Sequence, residues 1–279
     1  MLGSFLIFAR EGIEGTLICA ILLMFVSAAG RRDLFRWVFA GAGAAVALAV
    51  AVGVVLWVLS RDAFVGSNAQ EWFETAVFAV AVVILTYMTF WMRRHARSMG
   101  AELRARATGA VGTGSGLALA AVAFVTVGRE AIETVIFLLA IAYQSSPLQL
   151  GIGAALGLAL SLTLAVAMYR LGVRVHLGRF FTIVGSLLMV VAAGLLANAV
   201  QNLQGLGSLP GGSLTVWNMS GLLPDDSGVG DVLHGLFGYS AAPTVLQLLL
   251  WAGFLGVGLA AFLRPVRSAP PRPKAPAAA

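Results

Sequence analysis

Residues 4–29 read SFLIFAREGIEGTLICAILLMFVSAA, an apolar run whose only charged members are Arg10, Glu11 and Glu14. About 20 mostly apolar residues are enough for one helix to cross the hydrocarbon core of a bilayer. A charge at the centre of such a helix costs about 2.5–3.5 kcal/mol on insertion scales, so three in one run require partners or a polar cavity. The stretch therefore reads as a membrane helix that carries a functional site.

Working outward, long uncharged stretches recur at Trp37–Ser60, Ala107–Gly128 and Thr134–Tyr169. Of the 279 residues, 59% are hydrophobic and 11% charged, against about 25% charged in soluble domains. Mean hydropathy is +0.93. These values exclude a soluble globular protein. An outer-membrane barrel would need alternating segments of about ten residues, and these continuous Ala/Val/Leu blocks do not alternate. The expected class is an all-α integral membrane protein.

Polar breaks divide the chain into seven expected spans, at 4–29, 36–59, 71–92, 113–143, 148–169, 180–203 and 243–263. Arg31, Arg32 and Arg36 fall in the first loop, and Arg93, Arg94, Arg97, Arg104 and Arg106 in the third. Arg170, Arg174 and Arg179 fall in the fifth, and Arg264, Arg267, Arg272 and Lys274 in the tail. The alternate loops contain Arg61 alone. Basic residues concentrate on the cytoplasmic side, which predicts an outside N-terminus and a cytoplasmic C-terminus. The net charge of +6 is thus explained by the membrane and not by nucleic acid. Cys19, the single cysteine, excludes an intramolecular disulfide and a cysteine-based zinc site. No basic region precedes the first run, and charges interrupt it, so a cleavable signal peptide is not expected. Residues 1–265 form one transmembrane domain in this reading, with an outer loop at 205–242 holding a short interfacial helix and a Pro/Ala-rich disordered tail at 266–279.

Arg10-Glu11-Gly12-Ile13-Glu14 recurs as Arg129-Glu130-Ala131-Ile132-Glu133, with Phe5 and Phe124 at matching distances upstream. Gly41-Ala42-Gly43-Ala44-Ala45 likewise resembles Gly151-Ile152-Gly153-Ala154-Ala155. Spans one to three and four to six therefore read as two copies of one unit, about 1–100 and 107–204. Three spans per copy invert the second, as in transporters whose substrate sites lie near the bilayer midplane between halves.

Arg10 and Glu14, like Arg129 and Glu133, stand four residues apart and can pair on one helix face. Glu11 with Glu14, and Glu130 with Glu133, stand three apart and share a face too. Four carboxylates against two guanidiniums leave a net charge of minus two, which attracts a cation. A pair of structural ion-pair locks would explain the arginines but leave one carboxylate per helix without a counter-charge. Glu71 and Glu74 open span three and mark an outer entrance, although acidic residues in a first turn also complement the helix dipole. His95, His176 and His234 are assigned to loops, so the site chemistry is carboxylate and suits a hard cation: iron(III), iron(II), manganese, calcium or magnesium. Gln144, Asn198, Gln201, Asn202 and Gln204 are candidates to line an outer vestibule.

Two Arg-Glu-x-x-Glu motifs in spans one and four, Glu71-x-x-Glu74, Val82-Val83-Ile84-Leu85-Thr86-Tyr87, Phe90-Trp91-Met92-Arg93 and Phe237-Gly238-Tyr239 together resemble the oxidase-dependent iron transporter family. This family holds the fungal high-affinity iron permeases and the bacterial EfeU-type permeases, and the bacterial branch is the more similar. The resemblance implies iron import across the plasma membrane, the inner membrane in bacteria. It implies Glu11, Glu14, Glu130 and Glu133 as iron ligands and Glu71 and Glu74 as an entry pair, with Arg10 and Arg129, by their spacing, as supporting ion pairs. It also implies iron(III) as the permeating form, delivered by an external oxidase or by a haem peroxidase with an iron-binding protein. Iron would be cargo, with no permanently bound cofactor and no enzyme activity. Ala131 stands where the family commonly has glycine, and Gln204 and Gly205 where it often has histidine and glutamate. The competing expectation is a proton-coupled or exchange transporter of another hard divalent cation such as manganese or calcium.

Overall fold

Long apolar runs become long helices, because a backbone in hydrocarbon must satisfy its own N–H and C=O groups. The computed structural model describes residues 1–62, 68–95, 105, 108–109, 115–143, 146–171, 177–225 and 228–264. The helices are α1 (Leu2–Ala28), α2 (Phe35–Asp62), α3 (Asn68–His95), α4 (Gly116–Ala142), α5 (Pro147–Leu171), α6 (Leu177–Gly205), α7 (Gly228–Phe237) and α8 (Val245–Leu263). A 3-10 turn at Arg32–Leu34 joins α1 to α2. There Arg31 grips Asp33 at 3.0 Å and holds its carboxyl below the ordinary range. Among the described residues there is no strand, only an isolated bridge between Thr215 and Thr244.

The expected span boundaries fall within three residues of the observed helix ends. Among the described residues six helices, α1, α2, α3, α5, α6 and α8, are long and apolar enough to cross a membrane. This makes the chain a multi-pass membrane protein. The fourth expected span coincides with α4, whose 27 residues are also long enough, but every 18-residue window in it contains Arg129, Glu130 and Glu133. His234, expected in a loop, lies in α7, where its Nδ1 is 2.6 Å from the Tyr239 carbonyl. His95 is the last residue of α3, not a loop residue. His176, Gln144 and the tail at 266–279 lie outside the described residues.

Three pairings dominate: α1 runs parallel to α5, α2 parallel to α4, and α3 antiparallel to α6. α8 packs on α6, and α1 also meets α4. Small residues permit the closest approaches. A Cβ on Gly157 would come within 2.7 Å of the Phe5 carbonyl, and one on Gly41 would strike the backbone of Ala120. One core joins Leu6 and Ile7 of α1, Phe78, Val82 and Leu85 of α3, and Phe137 of α4 with Leu188 and Leu195 of α6. Outward-facing residues such as Val83, Leu249 and Val257 are large, apolar and exposed, as lipid contact requires.

Helix ends at the Met1 side are tied down by polar side chains. Thr244 Oγ1 accepts from the Gln247 backbone N–H, and Gln247 Oε1 accepts from that of Thr244, a reciprocal cap that starts α8. The segment between α6 and α8 is pinned by side chains: Asp225 accepts from the Ala241 N–H, and Tyr239 donates to the Leu223 carbonyl. Gly238, with φ of +65°, lies against Gly194 so closely that neither position has room for a side chain.

Candidate metal site

The repeated motif meets itself where α1 and α4 come together in mid-bundle. Glu11, Glu14 and Glu130 each present a carboxylate oxygen, and these oxygens all lie within 4.8 Å of one another. Two oxygens on a shared hard cation, each about 2.1–2.4 Å from it, are at most about 4.8 Å apart, so the trio is already at bridging distance. All three side chains are buried, as is Glu133.

Arg10 is the counter-charge within the trio. Its Nη1 donates to Glu11 Oε1 at 3.0 Å, and its Nε stands 3.3 Å from Glu14 Oε1. The pair with Glu14 follows from the four-residue spacing, whereas the bond to the adjacent Glu11 does not. Arg129 makes the expected contact with Glu133, Nε to Oε1 at 3.0 Å. Its environment differs sharply. Arg10 is 2% exposed, whereas Arg129 is 44% exposed and turns toward α3, with Nη2 2.8 Å from Met88 Sδ and its Cζ 4.9 Å from the centre of the Trp91 ring.

Glu11 Oε2, both oxygens of Glu14, Glu130 Oε2 and Glu133 Oε2 are buried without a hydrogen-bond partner among the described residues. Buried polar atoms are normally paired, so these oxygens are available to a cation. The donor set is all oxygen, which suits hard ions over copper(I) or zinc. Local sequence makes this convergence possible. Gly12, beside Glu11, has Ser161 of α5 so near that a Cβ would lie 2.9 Å from the serine Cβ.

Glu71 and Glu74 are not part of this centre. They line a separate cavity of about 550 Å³ toward the Met1 end, with Asn68, Gln70, Gln201, Asn202 and Gly205. Gln70 donates to Glu74 at 2.9 Å. Between the cavity and the trio the bundle is filled by Ile7, Phe78, Phe137 and Leu195. Gln204 is engaged elsewhere: it accepts from Thr244 Oγ1 at 2.9 Å and donates to the Pro210 carbonyl. Sequence reading missed Asn68 and Gln70, although their place one turn before the acidic pair is a usable signal. It also missed the Met88 and Trp91 contacts of Arg129, which no spacing rule contains.

The model of the Iron permease FTR1 family matches residues 1–269. Ferrous iron permease EfeU of Yersinia pestis is 34% identical over 270 residues, covering 96% of this chain and 95% of that protein. The protein of the same name in Yersinia pseudotuberculosis serotype I (strain IP32953) is 35% identical over 266 residues, covering 95% and 93%. That of Escherichia coli O6:H1 (strain CFT073) is 34% identical over 271 residues, covering 96% and 97%. No solved structure matches the chain. With a family match along nearly its whole length and relatives that are transporters and not enzymes, this multi-pass membrane protein belongs to the iron permease FTR1 family.

Proposed function

We propose that this chain imports iron through the carboxylates of α1 and α4, with the convergence of Glu11, Glu14 and Glu130 within 4.8 Å as the observation that carries the reading. Iron enters the cavity beside Glu71 and Glu74 and passes to the trio and Glu133. It leaves on the far side when the helices rearrange. Iron is cargo throughout, and no resident cofactor takes part. Arg10 offsets part of the trio's charge, so that ion binding remains reversible. Arg129 holds Glu133 in place without touching the ion.

In this reading α4 also spans the membrane, bringing the number of spans to seven, with its charges accommodated against α1 and α3. The excess of basic residues at the opposite end puts Met1 and the cavity outside and the C-terminus in the cytoplasm of a plasma or bacterial inner membrane. The helix pairing supports an inverted repeat. Exchanging α1, α2 and α3 for α4, α5 and α6 turns the α1–α5 pair into α4–α2 and leaves α1–α4 and α3–α6 unchanged. Close approaches agree: Gly41 meets Ala120 as Gly153 meets Met1, and Gly128 meets Ala45 as Ala9 meets Gly157. These pairs favour matching Gly41 to Gly153, two residues beyond the register suggested by the Gly-Ala blocks.

The permeating form is iron(III), produced by an external oxidase, or by a haem peroxidase acting with an iron-binding protein. The names of the relatives specify ferrous iron, which favours iron(II) as a second reading. Radio-iron uptake in cells lacking other importers, with either valence offered and with or without an oxidant, separates the two. Glu14→Gln and Glu130→Gln are each expected to reduce uptake by more than about tenfold at unchanged membrane abundance, since even loss of a supporting residue around a metal typically costs 10–100-fold. Normal uptake by both variants would rule out the trio. Manganese or calcium uptake with no response to iron would favour the exchange transporter.

A further inference from the structure

Asn198 is the one buried carboxamide whose oxygen and nitrogen both lack a hydrogen-bond partner among the described residues. Its side chain belongs to a residue only 4% exposed. Such groups are rarely left unpaired in a packed interior, and each one needs a physical explanation. Its neighbours on α6 have structural bonds by contrast. Gln201 accepts from Gln247, and Gln204 accepts from Thr244.

The position supplies the explanation. Residues three and four apart share a helix face. Asn198 therefore stands between Asn202, one turn toward the Met1 end, and Leu195, one turn deeper. Asn202 lines the acidic cavity, and its Nδ2 is likewise buried and unpartnered. Leu195 belongs to the apolar layer that closes the cavity floor. Because Glu71 and Asn202 line one cavity on the antiparallel α3 and α6, Thr75 lies at about the depth of Asn198. The Thr75 hydroxyl is already spent on the Glu71 carbonyl, at 2.7 Å. Asn198 is thus the last uncommitted oxygen donor on α6 before the apolar layer.

We infer that Asn198 is an intermediate iron-binding residue, passing the ion from the Glu71–Glu74 cavity toward the buried carboxylates. An amide oxygen is a neutral hard donor. It lowers the cost of shedding water at the mouth of the apolar layer without holding the ion as a carboxylate would. Two acidic stations separated by Phe78, Leu195, Phe137 and Ile7 need such a weak site between them, because transfer requires binding that is easily reversed. This inference rests on the iron-import reading above.

The test uses the full chain in liposomes, with radio-iron as probe, measuring equilibrium binding at the outer face and initial uptake. Asn198→Leu is expected to bind iron at the cavity within about twofold of wild type while its maximal uptake rate falls about tenfold, and Asn198→Val is expected to match it. Asn198→Asp restores an oxygen donor with charge. It is expected to transport with a half-saturating concentration at least about threefold lower, a change that a merely structural role would not produce. Wild-type uptake by Asn198→Leu or Asn198→Val would overturn the inference and leave iron import standing. Equal loss in all three variants, together with lowered thermal stability, would overturn it as well by showing a packing role. If the wild-type chain itself carries no iron in either valence, the import reading fails, and this inference with it.

Discussion

Arg10 and Arg129 occupy the same place in the two motif copies, yet their surroundings assign them different energetic weights. Arg10 is buried between Glu11 and Glu14. Removing one partner from a buried ion pair typically costs about 3–5 kcal/mol, because an uncompensated charge is left behind. Arg10→Gln is therefore expected to lower the thermal unfolding temperature and membrane abundance markedly. Arg129 has one carboxylate partner and otherwise leans on Met88 and Trp91 of α3, so its replacement by Gln is expected to cost less than that of Arg10. Thermal unfolding of both variants in detergent checks the order, and equal losses would show that burial does not separate them. A bound cation stabilises the folded state by about 2.7 kcal/mol at 100 times its dissociation constant. Iron should accordingly raise the unfolding temperature of the wild type but not of Glu14→Gln, and a shift retained in the variant would count against the trio.

At the scale of the helix, glycine content alone does not say which glycines matter. Gly157 faces the backbone of Phe5 and Ala9 across the α1–α5 contact, where an added Cβ would lie 2.7–2.8 Å from main-chain atoms. Gly43 and Gly151, from the aligned Gly-Ala blocks, have nothing within 4 Å. Gly157→Ala is expected to push α1 from α5 and displace Glu11 and Glu14, reducing both stability and iron uptake. Gly43→Ala and Gly151→Ala should be neutral or stabilising by up to about 1 kcal/mol, the difference in helix propensity. Uptake and unfolding of the three variants side by side measure this contrast. Full function in Gly157→Ala would contradict the close approach.

For the whole molecule, the polar cavity and the concentration of arginines lie at opposite ends of the bundle, so orientation is open to direct test. In a Cys19→Ser background, Ser208→Cys after α6 and Asp33→Cys in the α1–α2 turn sit at those two ends. A membrane-impermeant thiol reagent added to intact cells should label the first and spare the second. The reverse pattern would invert the assigned topology and place the cavity at the exit.

Much of this protein was legible in one dimension. Length and apolarity specify helices because hydrocarbon offers the backbone no other partner, so the observed ends fall within three residues of the expected ones. The paired Arg-Glu-x-x-Glu motifs marked the central charged residues, since ionisable groups in a membrane are too expensive to be incidental. Spacing along a helix, however, reports only which residues share a face. It does not say that α1 lies along α5 and α2 along α4. Nor does it say that Glu11, Glu14 and Glu130 are the three of the four motif glutamates that form the tight group. It left open whether Gln204 lines a pathway or braces Thr244. Those distinctions depend on contacts between residues far apart in the chain. Only tertiary packing determines which of several equivalent carboxylates and amides meet.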